Sequence, residues 1–129
     1  MPVQVTTIMI GVADLARSKQ FYGEGLGCTI DKDYPGFVSL DLGGGSSSLV
    51  LYERAAAAAD AGVSAEGSGF RGVSFHHIVD SREAVDEVMA SAAAAGGAIV
   101  KEAADSQWGG YFGYFSDPDG YLWKAATSA

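Results

Sequence analysis

His76 and His77 are the two imidazoles of a 129-residue chain, and they are adjacent. Near neutral pH an imidazole can serve as acid, base or metal ligand. Neighbouring strand residues point to opposite faces, so the pair cannot readily clamp one ion together. His76 reads as a cleft acid/base, a ligand-binding donor or a structural residue; His77 reads as a hydrogen-bonded structural histidine. Cys28 follows Gly27 with neither a helix N-terminus nor a histidine near it in sequence, so nothing marks its thiol as a nucleophile. Asp117 and Asp119 could work as paired carboxylates, but their places in a turn already account for both. The acidic residues of 80–87 and 101–105 read as solvated surface, and no catalytic triad assembles from the sequence. What remains is recognition. Trp108 and Tyr111 flank Gly109-Gly110, where absent side chains let a ligand approach closely.

The element that must position these aromatics is a hairpin. Two aromatic-rich strands, 111–116 and 121–125, flank Asp117-Pro118-Asp119-Gly120. Pro118 presets φ at the second turn position, Asp117 can bond the backbone beyond it, and Gly120 accepts a positive φ. Alternation puts Tyr111, Gly113 and Phe115 on one face and Phe112, Tyr114 and Ser116 on the other. Both faces are apolar enough to be covered. The hairpin therefore reads as core, or as core with one face lining a cavity.

Upstream, the β-branched run 3–12 predicts a strand, and Asp14 is placed to cap a helix whose stripe is Leu15, Ser18, Phe21, Tyr22 and Leu26. Gly25 and Gly27 stop it. Strands are predicted at 29–34, 37–42 and 48–53, with turns at Pro35-Gly36 and Gly43-Gly44-Gly45-Ser46. The latter glycine run lacks a following Lys-Ser/Thr and a helix, so it is a hairpin loop and not a phosphate cradle. Residues 54–69 read as a linker with room for a short alanine-driven helix. Then the plan repeats. A strand at 73–79 leads to a helix capped by Asp80 or Ser81, with the stripe Val85, Val88, Met89 and Ala92. Gly96-Gly97 ends it, 98–101 forms a strand, and the hairpin closes the chain. Each half thus reads β-α-β-β-β.

One domain is expected from this length, with module 1 at about 3–53, the linker at about 54–69 and module 2 at about 70–127. A hydrophobic content of 48% with 19% charged residues fits a soluble globular protein. No apolar run approaches a membrane span of about 20 residues. The opening Met-Pro-Val-Gln-Val lacks the features of a signal peptide, and Cys28 as sole cysteine points to the reducing cytoplasm. A net charge of −8 argues against binding nucleic acid and is compatible with attracting a cationic small molecule.

The repeat and two of its motifs resemble the vicinal oxygen chelate superfamily of glyoxalases, bleomycin-resistance proteins and extradiol dioxygenases. Val12-Ala-Asp-Leu-Ala-Arg-Ser-Lys-Gln-Phe-Tyr-Gly-Glu-Gly-Leu-Gly27 is close to its strand-to-helix signature. Trp108-Gly-Gly-Tyr and Asp117-Pro-Asp-Gly-Tyr-Leu-Trp123 look like its closing hairpin. The resemblance covers nearly the whole chain. It implies an α+β fold of two βαβββ modules, a curved mixed sheet enclosing a cleft, and a homodimer. Enzymes of the superfamily hold a divalent metal on four strands, at positions that fall here at or near Thr7, Val50 or Leu51, Ser74 and Lys124. None is a usual ligand where imidazole and carboxylate are needed. Relatives commonly read Glu where this chain has Lys124, and Glu53 is an outside candidate. If Ser74 faces the cleft, so does His76, while His77 joins Phe75 and Val79 toward the helix. Lys124 in such a cleft could pair with an anionic ligand group or with Glu53.

The expectation is therefore a metal-independent, cofactor-free binder of an aromatic or cationic compound, of the bleomycin-resistance type. Its ligand-binding positions would be Thr7, Met9, Ser74, His76, Trp108, Tyr111 and Lys124. The alternative is a glyoxalase-like lyase, isomerase or dioxygenase acting with a divalent metal or with His76.

Overall fold

Short apolar strands cannot bury themselves alone, and each half of this chain solves the problem by packing helix against a four-stranded sheet. The computed structural model describes residues 5–67, 70, 71, 73–107 and 109–129. They fall in two units, Met1–Glu66 and Gly67–Ala129.

The first unit contains β1 (Thr7–Val12), α1 (Leu15–Gln20), β2 (Thr29–Tyr34), β3 (Phe37–Asp41), β4 (Ser48–Glu53) and α2 (Arg54–Ala61). Its sheet runs β1-β4-β3-β2, with β1 parallel to β4 and the other pairs antiparallel. Asp14 caps α1 by accepting the Arg17 N–H at 3.1 Å. The helix does not continue regularly to Leu26, however: Phe21–Gly25 forms a π-helical turn. Gly23 and Gly25 have little helical preference, which loosens the usual ladder here. Phe21 and Tyr22 are both buried, edge to face with centroids 5.0 Å apart. The buried Val38, Leu40, Leu49 and Leu51 occupy one face of β3 and β4.

The second unit contains β5 (Ser74–Ile78), α3 (Arg82–Ala94), β6 (Ala98–Asp105), β7 (Tyr111–Ser116) and β8 (Leu122–Thr127). Its sheet runs β5-β8-β7-β6, and β5 is parallel to β8. Ser81, not Asp80, caps α3 through the Ala84 N–H at 3.1 Å. Val85, Met89 and Ala92 are buried and Val88 partly so, as their spacing predicts. Each such Val or Met contributes about 1.5–3 kcal/mol by leaving water. The two βαβββ modules are present, an α+β arrangement with one mixed sheet in each. The modules also share one pairing register: Thr7 lies opposite Ser48, and Ser74 opposite Leu122. Thr7 thus corresponds to Ser74, Met9 to His76 and Val50 to Lys124.

Two boundaries differ from expectation. The alanine-rich stretch begins as a true helix directly after β4, because Glu53 accepts the N–H groups of Ala55 and Ala56 at 3.2 and 2.8 Å. Strand β6 runs four residues beyond Lys101. Register shifts between Ile99 and Lys101 and between Lys101 and Ala104 break the alternation that marks a strand in sequence.

Those shifts bring β6 close to β7 at Gly113. A Cβ there would sit 2.7 Å from Met89 Cε and 3.0 Å from both Lys101 O and Ala103 N. Gly113→Ala is expected to lower stability by about 1–3 kcal/mol. Gly36→Ala, at a turn with nothing near the added atom, should change it by less than about 0.5 kcal/mol. Urea unfolding of the two variants checks this, and equal midpoints would contradict the close approach.

Candidate functional site

In the second unit the hairpin turn fixes which side chains share a face. The Asp117 carboxylate, buried, accepts the N–H groups of Asp119 and Tyr121, both at 2.9 Å. The Asp117 N–H donates to Tyr121 C=O at 2.9 Å, and Gly120 takes φ +88°. Arg71 adds a bond from Nη2 to Asp119 C=O at 2.8 Å and lies 4.4 Å over the Tyr121 ring. The turn so held pairs Ser116 with Leu122, Phe115 with Trp123 and Tyr114 with Lys124.

One face of this sheet is aromatic core. Trp123 lies 4.9 Å from Phe75 and stacks on Phe115 at 6.1 Å with planes 4° apart. Helix α3 packs over β6, β7 and β8 on this side. Tyr111 also points this way. Its hydroxyl donates to Asp86 Oδ1 of α3 at 2.6 Å, and the Arg82 guanidinium stands 4.8 Å over its ring. The hydrogen bond to Asp86, with some burial, pushes the Tyr111 phenol above its ordinary pKa. Arg82 also binds Asp105 and holds that carboxyl below its ordinary range.

The opposite face carries Phe112 and Tyr114 of β7 with Lys124 of β8, Lys101 of β6 and His76 of β5. The Phe112 and Tyr114 rings are 6.1 Å apart, edge to face. Lys124 Nζ lies 4.4 Å from the Phe112 centroid and 5.8 Å from that of Tyr114. Lys101 Nζ reaches the same Phe112 ring from the strand on its other side, at 4.9 Å. Among the described residues neither ammonium has a carboxylate partner. Beside them opens a hollow of about 630 Å³, its lining including Ala104, Ala126 and Gln107 and also Asp105, whose carboxylate is taken up by Arg82. Its size suits a small organic molecule.

The expected binding residues are distributed as follows. Ser74 and His76 share a face and touch, Oγ to Nε2 at 3.1 Å. His76 is paired with Lys124 across β5 and β8. Tyr111 borders the hollow, but its side chain turns toward α3 and away from Lys124. Thr7 and Met9 lie on β1 of the first unit, both exposed. Trp108 lies outside the described residues. His77 is exposed, and no hydrogen bond reaches its ring among the described residues, so it is not the helix-covered structural histidine expected. The reason is the placement of α3 over β6, β7 and β8, with β5 at the sheet's edge. Cys28 is half-buried, and burial pushes its thiol pKa up, away from nucleophilic use.

The positions at which the resemblance implies metal ligands do not fit a divalent ion. Register resolves the choice on β4: both residues are buried, but Val50 pairs with Met9 on the face of Thr7, whereas Leu51 pairs with Ile10 on the other face. Thr7, Val50, Ser74 and Lys124 supply no imidazole or carboxylate. Glu53 is already engaged at the start of α2. Among the described residues no three His, Cys, Asp or Glu side chains converge. What sequence reasoning missed is Lys101 with Phe112 and Tyr114. Alternation along β7 puts the two rings on one face, but only the pairing of β7 with β8 shows that Lys124 shares it, and the irregular β6 register conceals Lys101.

Comparison with known proteins adds the family. The family model described as "Glyoxalase/Bleomycin resistance protein/Dioxygenase superfamily" matches residues 4–125. A glyoxalase-related enzyme from Fulvimarina pelagi is 31% identical, with 96% of this chain and 87% of that one covered and a TM-score of 0.86. A hypothetical protein from S. aureus is 28% identical, covering 98% and 94%, with a TM-score of 0.84. A glyoxalase/bleomycin resistance protein/dioxygenase family enzyme from Burkholderia phytofirmans PsJN shares 22% identity over 98% and 100%, at a TM-score of 0.86, a likeness of fold. No curated protein matches the sequence.

The Tyr111–Asp86 bond has a definite pH signature. The bond stabilises the protonated phenol, so its contribution is complete below the ordinary phenol pKa and is lost as pH rises through the elevated folded value. Tyrosine-ring NMR against pH should show Tyr111 titrating late, and Asp86→Asn should bring it back toward the ordinary value. An unchanged midpoint in Asp86→Asn would contradict the assignment.

Proposed function

We propose, for a chain that belongs to the glyoxalase/bleomycin resistance protein/dioxygenase superfamily, a metal-independent role in binding a small molecule. The observation that carries this reading is Lys124. It stands where the resemblance calls for a metal ligand, held over Phe112 at 4.4 Å with no carboxylate to neutralise it among the described residues. An ammonium at that point repels a divalent ion, and Thr7, Val50 and Ser74 offer nothing to offset the repulsion. The same lysine, with an aromatic wall and a hollow of about 630 Å³ beside it, is suited to holding an organic ligand. The working unit in this reading is a homodimer, by analogy with the superfamily.

A second reading keeps an enzyme. The Ser74–His76 contact at 3.1 Å lies on the face of Lys124, and an imidazole so placed could move a proton. In that case His76→Ala would abolish turnover of a bound substrate while sparing its affinity.

Protein purified without chelator is expected to carry far less than one equivalent of Zn, Ni, Mn or Fe by elemental analysis. Dialysis against EDTA should leave its affinity for small aromatic ligands unchanged in calorimetry. One tightly held equivalent of metal, lost together with binding on chelation, would overturn the metal-free reading.

A further inference from the structure

We infer that the Lys101–Phe112–Lys124 face binds a small aromatic carboxylate, the carboxylate on the two ammoniums and the ring system along Phe112 and Tyr114. This rests on the reading above, that the open face of the second sheet is the binding site, and it adds the sign and shape of the ligand.

The sign comes from charge placement. The chain has 8 Lys and Arg against 16 Asp and Glu, so a cation has abundant partners. Lys19 bonds Asp33 at 2.5 Å, and Arg82 bonds Asp105. Lys101 and Lys124 instead approach one phenyl ring from the strands either side of it, at 4.9 and 4.4 Å. Two cations flanking one ring with no acidic partner among the described residues leave a local positive charge that a bound anion offsets. The ring attracts each ammonium through its face and occupies none of its three N–H donors in a conventional hydrogen bond. Those donors are left for an acceptor carrying charge, where bonds are strongest. A cationic ligand, compatible with the net charge of −8, would meet both ammoniums at this face and be repelled.

The shape comes from the neighbouring surface. Phe112 and Tyr114 stand half-exposed, edge to face, and Ala104 and Ala126 in the hollow's lining add little bulk. A free phosphate would satisfy the ammoniums and leave this apolar wall in water. A flat ring bearing a carboxylate satisfies both, and Gln107 in the hollow's lining can bond a further polar group on it. Nucleic acid is disfavoured, since two lysines on an acidic protein neutralise few phosphates.

The test is calorimetric titration of the full chain, in EDTA, with 1-naphthoate, 1-naphthylmethylammonium and inorganic phosphate. Naphthoate should bind best, and its affinity should fall as salt rises. Lys101→Gln and Lys124→Gln should each weaken it about tenfold, and Lys124→Arg should restore most of the loss. Circular dichroism confirms that these surface variants stay folded. Tighter binding of the ammonium compound, or naphthoate binding indifferent to both Gln variants, would overturn the anion assignment and leave metal-free binding standing. Equal binding of phosphate and naphthoate would overturn the aromatic part. Failure of naphthoate to bind overturns the inference by itself; naphthoate binding that appears only when Zn²⁺ replaces EDTA overturns the metal-free reading as well.

Discussion

A buried carboxylate holds the register on which the second sheet depends. Asp117 Oδ1 accepts two backbone N–H groups across a four-residue turn, and its own backbone closes the turn with Tyr121 and Gly120. Side chains on a strand alternate with a period of two, so a slip by one residue would send every side chain to the other face. Lys124 would then enter the core beneath α3, and Trp123 would face water. The Asp-Pro-Asp-Gly turn is therefore more than a bend. It decides that an ammonium and an indole on adjacent positions have opposite environments.

The duplicated module shows how one scaffold position takes on different chemistry. Met9 and Val50 in the first unit correspond to His76 and Lys124 in the second. The helix-facing sides of both sheets are apolar, because each must bury against its own helix. The opposite sides do not face those helices, and there the two halves diverge. Val50 is a buried aliphatic residue whereas Lys124, at the equivalent point, lies over an aromatic ring. Membership in the glyoxalase/bleomycin resistance protein/dioxygenase superfamily therefore describes the backbone well and the chemistry of the open faces poorly.

Neighbouring polar groups on the helix side act differently. Tyr111, Asp86, Arg82 and Asp105 satisfy one another where α3 meets β6 and β7. That mutual satisfaction marks them as fastening for the helix. Lys101 and Lys124, by contrast, both lie against Phe112 without an acidic partner among the described residues. The distinction between the two groups lies in whether the charges cancel locally.

Much of the architecture was legible in the residues themselves. Strand alternation, a 3.6-residue apolar stripe at Val85, Val88, Met89 and Ala92, capping by Asp14 and by Asp80 or Ser81, and glycines at the stops are local signals. They act over a few residues, so the repeated β-α-β-β-β order can be read without tertiary knowledge. The unsuitability of Thr7, Ser74 and Lys124 as metal ligands is likewise a matter of side-chain chemistry alone. Other features depend on partners distant in sequence. The choice of Val50 over Leu51, and the turning of Tyr111 toward Asp86, follow from strand register and helix placement. The exposure of His77 follows from the reach of a single helix. The meeting of Lys101 with Lys124 over Phe112 requires an irregular edge strand whose shifts leave no periodic trace in sequence. Local pattern determined which elements form, and only long-range pairing decided which side chains face one another, because a sheet face is assembled from strands that the chain visits at separate times.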